Sequence, residues 1–356
     1  MIAIFDIGKT NKKFYLFGQN YQILHQEEHN FAETEDEDGF PSEDLSAVAQ
    51  WVTSTLRAAK ADRRFQIKAL NFSTYGASAV HLDDHNRVVT PLYNYLKPLE
   101  PQILEQLAQH HGQLEQLALD TACPMPLDNL NVGLQMYRLR CLRPDTFDRI
   151  HVSLHLPQYL SFLFTGVPTC AKSMIGCHSL LWDFDHDKYH PWALNAGVTQ
   201  KFVPIRACTS AVQKGEMHIG PGMHDSAASL VPYMVSPSAQ PFVLLSTGTW
   251  SIAMNPSNDQ ALTLDELRQG CLKYMNYLGK GVKSSRLFMG QEHEQQVNQI
   301  AAHFHVQPDF YKTVVYQPEL AEQLGTGSTQ PQAPAHAEGA WLTMRPTARP
   351  QRPTMP

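Results

Sequence analysis

The sequence predicts an α/β protein of two domains. Three observations carry this. Strand patterns alternate with amphipathic helices through the first part of the chain. A second strand-rich start, "FVLLSTGTWSIAM" (242–254), follows the Pro/Ser-rich connector "VPYMVSPSAQP". The length, 356 residues, accommodates two cores of ordinary size.

Residues 1–8 alternate and then turn at Gly8, residues 13–17 "KFYLF" are apolar and aromatic, and 21–25 "YQILH" follow the short turn "GQN". These read as three consecutive strands of an antiparallel meander. The acidic stretch "ETEDEDG" (33–39) reads as a solvated loop. A helix is expected from Ser42, with Glu43 and Asp44 in its first turn and Leu45, Val48, Val52 and Leu56 on one apolar face. "FQIKALNFS" (65–73) has a buried-strand pattern, with "TYGASAV" running on from its end, so the opening is β-β-β-α-β. Helical periodicity covers about 99 to 143, and "LPQYLSFLFT" (156–165) forms a further helix stopped by Gly166 and Pro168. The connector places a domain boundary near 233–240, giving domains at 1–233 and 234–330. Residues 331–356 hold six prolines, three arginines and one acidic residue. They are expected to be a disordered tail or the aberrant end of a once longer chain.

Composition excludes several function classes. A net charge of −6 and the lack of any basic run give no general attraction to nucleic acid or anionic lipid. The apolar start "MIAIF" is too short for a signal peptide or a membrane span, which predicts a cytoplasmic protein. Six cysteines without a CxxC pair read as free buried thiols in a reducing compartment.

Among the motifs, the GKT within "DIGKTNKK" (6–13) looks like the end of a P-loop, but that motif needs glycine where Ala3 stands. What remains is a strand, a glycine turn and a second strand, a plain hairpin or a phosphate cradle. In the latter, backbone N–H groups from Gly8 onward surround a phosphate, Thr10, Asn11 and Lys12 add donors, and Asp6 faces the metal side. "LLSTGTWS" (244–251) repeats the theme at the second strand-rich start, with Thr247, Gly248 and Thr249. In "GMHDSAASL" (222–230), Asp225 either caps a helix or serves as a catalytic base. "WDFDHDKYH" (182–190) fails as an EF-hand, because Lys188 and Leu194 stand where glycine and glutamate are required. The histidines are scattered without zinc spacing, and no GxSxG elbow occurs.

Taken in order and at these separations, "DIGKTNKK", "GMHDSAAS" and "STGTW" resemble the FGGY-type carbohydrate kinases. "RLFMGQEHEQQV" (286–297) and the tryptophan after Gly-Thr look most like the branch containing rhamnulokinase and fuculokinase. The likeness covers roughly residues 1 to 315. It implies a two-domain actin-like ATPase (ribonuclease H-like) fold with an interdomain cleft, and ATP and Mg²⁺ as cofactors. It further implies Asp225 as general base and Asp6 orienting Mg²⁺ through water. By the same resemblance the turns Gly8–Lys12 and Thr247–Thr249 hold the nucleotide phosphates, and Thr74, Tyr75, Gly76 and His224 contact the sugar. Lys9 departs from the commoner threonine. Family members run well past this length, so the second domain is expected to be incomplete. The expected activity is phosphorylation of a ketose such as L-rhamnulose or L-fuculose. The rival is a kinase relative that binds sugar without turnover, and a generic ATPase without a sugar substrate is a third reading. Oligomeric state is open, a homodimer included.

Overall fold

A computed structural model of the chain describes residues 1–125, 129–236, 240–247, 251–287, 289–319 and 322. The predicted tail 331–356 therefore lies outside the described residues, as do Gly248 and Thr249. Contacts divide the chain into two compact units, 1–239 with 273–281, and 240–272 with 282–356.

The first unit is built on a seven-stranded mixed sheet. Strands β1 (Ile2–Ile7), β2 (Lys12–Phe17) and β3 (Ile23–His29) form the meander read from the sequence, each antiparallel to the next. Their alternation explains the arrangement: Ala3, Phe5 and Ile7 of β1, with Phe14 and Leu16 of β2, are fully buried on one face. Helix α1 (Leu45–Ala61) covers that face with Leu45, Val48, Val52 and Leu56. Phe5 packs at 4.7 Å from Phe14 and edge-on at 5.4 Å to Trp51. Each such buried aromatic stabilises the fold by about 1.5–3 kcal/mol.

Strand β4 (Ala69–Thr74) runs parallel to β1 on its other side. Beyond it lies one interrupted edge. Strands β5 (Val212–Lys214) and β6 (Met217–Ile219) form a hairpin, and β6 and β7 (Met223–His224) both pair parallel with β4. The interruption is Gly220-Pro221-Gly222. The Asn71 side chain fills the gap and accepts a hydrogen bond from the Gly222 N–H at 2.9 Å, and a Cβ on Gly220 would come within 2.5 Å of it. Helix α2 (Leu156–Thr165) clamps the bulge from outside: Ser161 donates to the Gly220 carbonyl, and Gln158 to those of Pro221 and Gly222. Gly166 ends α2 in the left-handed region at φ 66°, as its sequence position predicts.

Three expectations change here. Ser42 does not start α1; it sits in a two-residue strand and its hydroxyl donates to the Leu92 carbonyl, while Asp44 caps the helix by accepting from the Ala47 N–H. The acidic loop is exposed as read, except at Asp36, which is buried. Asp36 and Asp38 lie 2.5 and 2.6 Å from Lys97, and Arg138 and Arg143 reach Asp38 at 2.9 and 2.5 Å. Cations from distant positions pair with this exposed run. The helical stretch is three helices, Pro101–His111, Leu114–Asp120 and Val132–Leu142, the first closed by Gly112 at φ 109°. The strand read over 65–73 begins only at Ala69.

The second unit holds most of a four-stranded sheet in the order β8 (Leu244–Ser246), β9 (Ser251–Asn255), β11 (Gly281–Leu287), β10 (Cys271–Met275). Residues 273–281, the tip of the β10–β11 hairpin, group with the first unit. Lys283 of β11 pairs with Glu266 at 2.8 Å, and Glu266 closes a capping box with Thr263. A long helix, α4 (Met289–Phe304), follows and leaves Ile300 and Phe304 exposed. Among the described residues, no helix is long and apolar enough to cross a membrane. The six cysteines form no disulfide with one another, and five of them are buried.

Candidate active site at the carboxyl ends of the parallel strands

In open α/β sheets, ligands collect beyond the carboxyl ends of parallel strands. Here β1, β4 and β7 end in register: Ile7 stands opposite Thr74, and Thr74 opposite His224. Asp6 is the penultimate residue of β1, and Asp225 follows β7 directly as the first residue of α3 (Asp225–Met234). The bulge at 220–222 therefore sets the register that carries "HD" to the end of the sheet.

The electrostatics tie the two carboxylates together. Burial raises the Asp6 carboxyl above the usual carboxylate range, the Ser73 hydroxyl bonds it and opposes that shift, and the negative charge of Asp225 raises it further. Asp225 is 41% exposed and is fixed by a 2.6 Å hydrogen bond accepted from the Ser226 N–H. Tyr95, absent from the sequence-predicted set, stands in the same field: burial, then the charges of Asp225 and Glu33, push its phenol up.

His224 is buried, with Nε2 at 3.3 Å from Asp225 Oδ1 and 3.1 Å from Cys177 Sγ. Burial lowers its pKa, with Asp225 opposing, and its Nδ1 has no hydrogen-bond partner. Gly76 makes room for the ring, since a Cβ there would stand 2.8 Å from His224 Nε2 and 3.1 Å from the His178 ring. Thr74 is fully buried and donates to the Tyr75 carbonyl.

The turn after β1 is closed by a 2.9 Å hydrogen bond from the Gly8 N–H to the Asn11 carbonyl, with Thr10 exposed at its tip. Lys9 turns aside to Glu33 at 2.5 Å. Two predicted ligands are placed differently from expectation. Lys12 is buried, 2.8 Å from Glu43, and donates to the Lys9 carbonyl; the Tyr75 hydroxyl donates to the same Glu43 at 3.3 Å, with its ring in the core. A buried carboxylate at the start of α1 needs both partners, so these side chains support the turn from below. Thr247 is an exposed residue after β8 in the second unit, and its companions Gly248 and Thr249 lie outside the described residues.

Sequence reasoning also missed Cys177, His178, Glu43 and Tyr274. The dipeptide Cys177-His178 was the available signal, but its proximity to His224, 47 positions on, is a product of the fold.

Residues 1–219 match the model for the N-terminal domain of the FGGY family of carbohydrate kinases, and residues 239–342 match the model for the FGGY C-terminal domain. A rhamnulokinase of Halalkalibacterium halodurans is 22% identical over 262 residues, covering 69% of this chain and 54% of that protein. One from Oceanobacillus iheyensis is 21% identical with the same coverage. The chain thus spans about half the length of the curated relatives it matches. Among solved structures, a carbohydrate kinase from Novosphingobium aromaticivorans is 25% identical at a TM-score of 0.73, covering 83% of this chain and 66% of the other. A xylulose kinase from Lactobacillus acidophilus shares the fold at a TM-score of 0.72 with 14% identity, covering 87% and 64%. The fold is the actin-like, ribonuclease H-like ATPase fold, and the chain belongs to the FGGY family of carbohydrate kinases.

Proposed function

We propose that the chain transfers the γ-phosphoryl group of ATP to a hydroxyl of a ketose, releasing ADP, with Asp225 as the general base. The observation that carries the reading is the pairing of two carboxylates at the ends of parallel strands, with Asp225 held at a helix start and open to solvent. The rhamnulokinase relatives favour a deoxy-ketohexose such as L-rhamnulose or L-fuculose.

Asp225 accepts the proton of the attacking hydroxyl, a role worth about 10²–10⁴-fold in rate. The Ser226 N–H holds the carboxylate in place while it does so. His224, kept neutral by burial, stands on the sugar side of the base, its Nε2 3.3 Å from the Asp225 carboxylate. Backbone N–H groups and the Thr10 hydroxyl of the first turn bind phosphoryl oxygens, with Asn11 adding an amide; Thr247, Gly248 and Thr249 have the same role in the second unit. Lys12 and Tyr75 hold the turn and the strand end through Glu43.

The residues fit Mg²⁺. A half-buried carboxylate raised in pKa by burial and by a second carboxylate is relieved by a hard divalent ion that takes oxygen ligands. Asp6 would hold it, through water, and the ion supplies neutralisation of the phosphoryl charge.

ADP release measured across a panel of ketoses tests the proposal, with sugar-dependent release from at least one deoxy-ketohexose as the expected result. The second reading, sugar binding without turnover, is favoured by the placement of Thr74, Gly76, His224 and Asp225 in one unit. Calorimetric binding of a ketose with no ADP release from any sugar would select it.

A further inference from the structure

Beside the carboxylates lies a cluster of which the phosphoryl-transfer chemistry uses only His224. One ligand-competent atom each of Cys177, His178 and His224 lie within 4.8 Å of one another. We propose that Cys177, His178 and His224 bind one zinc ion, or a divalent ion of similar softness, as a three-residue site with a position left open.

The donor set argues for this metal class. One thiolate and two imidazoles suit zinc, whereas magnesium takes oxygen ligands. Zn–S near 2.3 Å and Zn–N near 2.1 Å at a tetrahedral angle separate sulfur from nitrogen by about 3.5 Å. Cys177 Sγ and His224 Nε2 are already 3.1 Å apart, so a displacement of a few tenths of an ångström admits the ion.

The surroundings hold the ligands in place. His178 is kept in the left-handed region at φ 48°, and the Tyr274 hydroxyl stands 3.3 Å from its Nε2, with ring centroids 5.4 Å apart. Gly76 leaves the space both imidazoles occupy. His178 is only half-buried and Asp225 is 41% exposed, which provides entry from solvent. On binding, the Cys177 S–H bond breaks, its electron pair forms the S–Zn bond, and the proton leaves to buffer. On the reading given above, zinc on His224 Nε2 sits beside Asp225 Oδ1, which lies 3.3 Å from that nitrogen, and so inhibits phosphorylation. That consequence rests on the kinase reading; the site itself does not.

The test reads the metal alone. The chelator-stripped chain is titrated with Co²⁺, then with Zn²⁺. The expected result is one cobalt per chain with tetrahedral visible bands and a thiolate-to-cobalt charge-transfer band, bleached by zinc. Cys177→Ser abolishes the charge-transfer band and weakens binding at least about tenfold. Cys208→Ser, at a buried thiol that contacts Ser173, leaves the band intact. If circular dichroism finds Cys177→Ser unfolded, His178→Gln decides, with altered visible bands and a similar weakening expected. No charge-transfer band in the parent chain, its persistence in folded Cys177→Ser, or unchanged bands in His178→Gln overturns the site.

Discussion

The two units stabilise themselves in different ways. In the first, Phe5, Phe14 and Phe72 stack inside a sheet covered by α1 and α2, and the polar side chains beneath the candidate site are buried in pairs. In the second, α4 leaves Ile300 at 56% exposure and Phe304 at 67%, and Phe310 and Tyr311 are also open to solvent. The difference teaches where substitutions should register. The sheet that presents Asp6, Thr74, His224 and Asp225 is a tightly packed support, whereas the outer face of α4 contributes little to folding.

The largest effects are expected in that support. Phe72→Ala empties a position 1% exposed and should cost about 3–5 kcal/mol in denaturant unfolding of the first unit. Glu43→Gln strands the buried Lys12 ammonium and should cost about as much, about 3–5 kcal/mol, by the same measurement. A loss under about 1 kcal/mol for either would mean the support is looser than its packing indicates. Gly76→Ala is expected to act on function before stability. Its Cβ displaces the His224 ring, and misplacement of about 1 Å can cost about 10²-fold, so kcat/KM for the sugar should fall at least about tenfold. Unchanged kcat/KM would remove His224 from the sugar site.

A smaller effect comes from pH. Burial pushes His81 down to about 4 and His155 down to about 3, against an ordinary value of 6.5. Both imidazoles are neutral in the folded chain, so the unfolded chain takes up protons first as pH falls. Stability from these groups is therefore fully present above about 6.5 and is lost as pH falls from there through about 4. The melting temperature should decline between pH 7 and 5, and a flat profile would contradict it. The smallest effect is Ile300→Ala, within about 0.5 kcal/mol. A large loss there would show that the face of α4 is covered in solution.

Much of this was legible in the sequence because it is local. Alternation specified β1 and β2, the 3–4 spacing of Leu45 to Leu56 specified the buried face of α1, and Gly166 marked the end of α2. Asp225 could be singled out because a charged residue opens a run of small ones. What could not be read depends on distant partners. Lys12 looked like a phosphate donor because nothing nearby indicated Glu43, and the ion pairs of the acidic loop could not be read because Lys97, Arg138 and Arg143 lie far along the chain. Cys177 and His178 became a cluster with His224 only after the 220–222 bulge set the register of β7.

The central claim is that Asp225 removes the proton while its neighbours hold the sugar. The measurement that bears on it most directly compares Asp225→Asn with the parent chain for sugar-dependent ADP release and, in parallel, for ketose affinity by calorimetry. The account predicts that release falls by about 10²-fold or more while affinity stays within a few fold. Retained turnover in the folded variant would place the base elsewhere and contradict it.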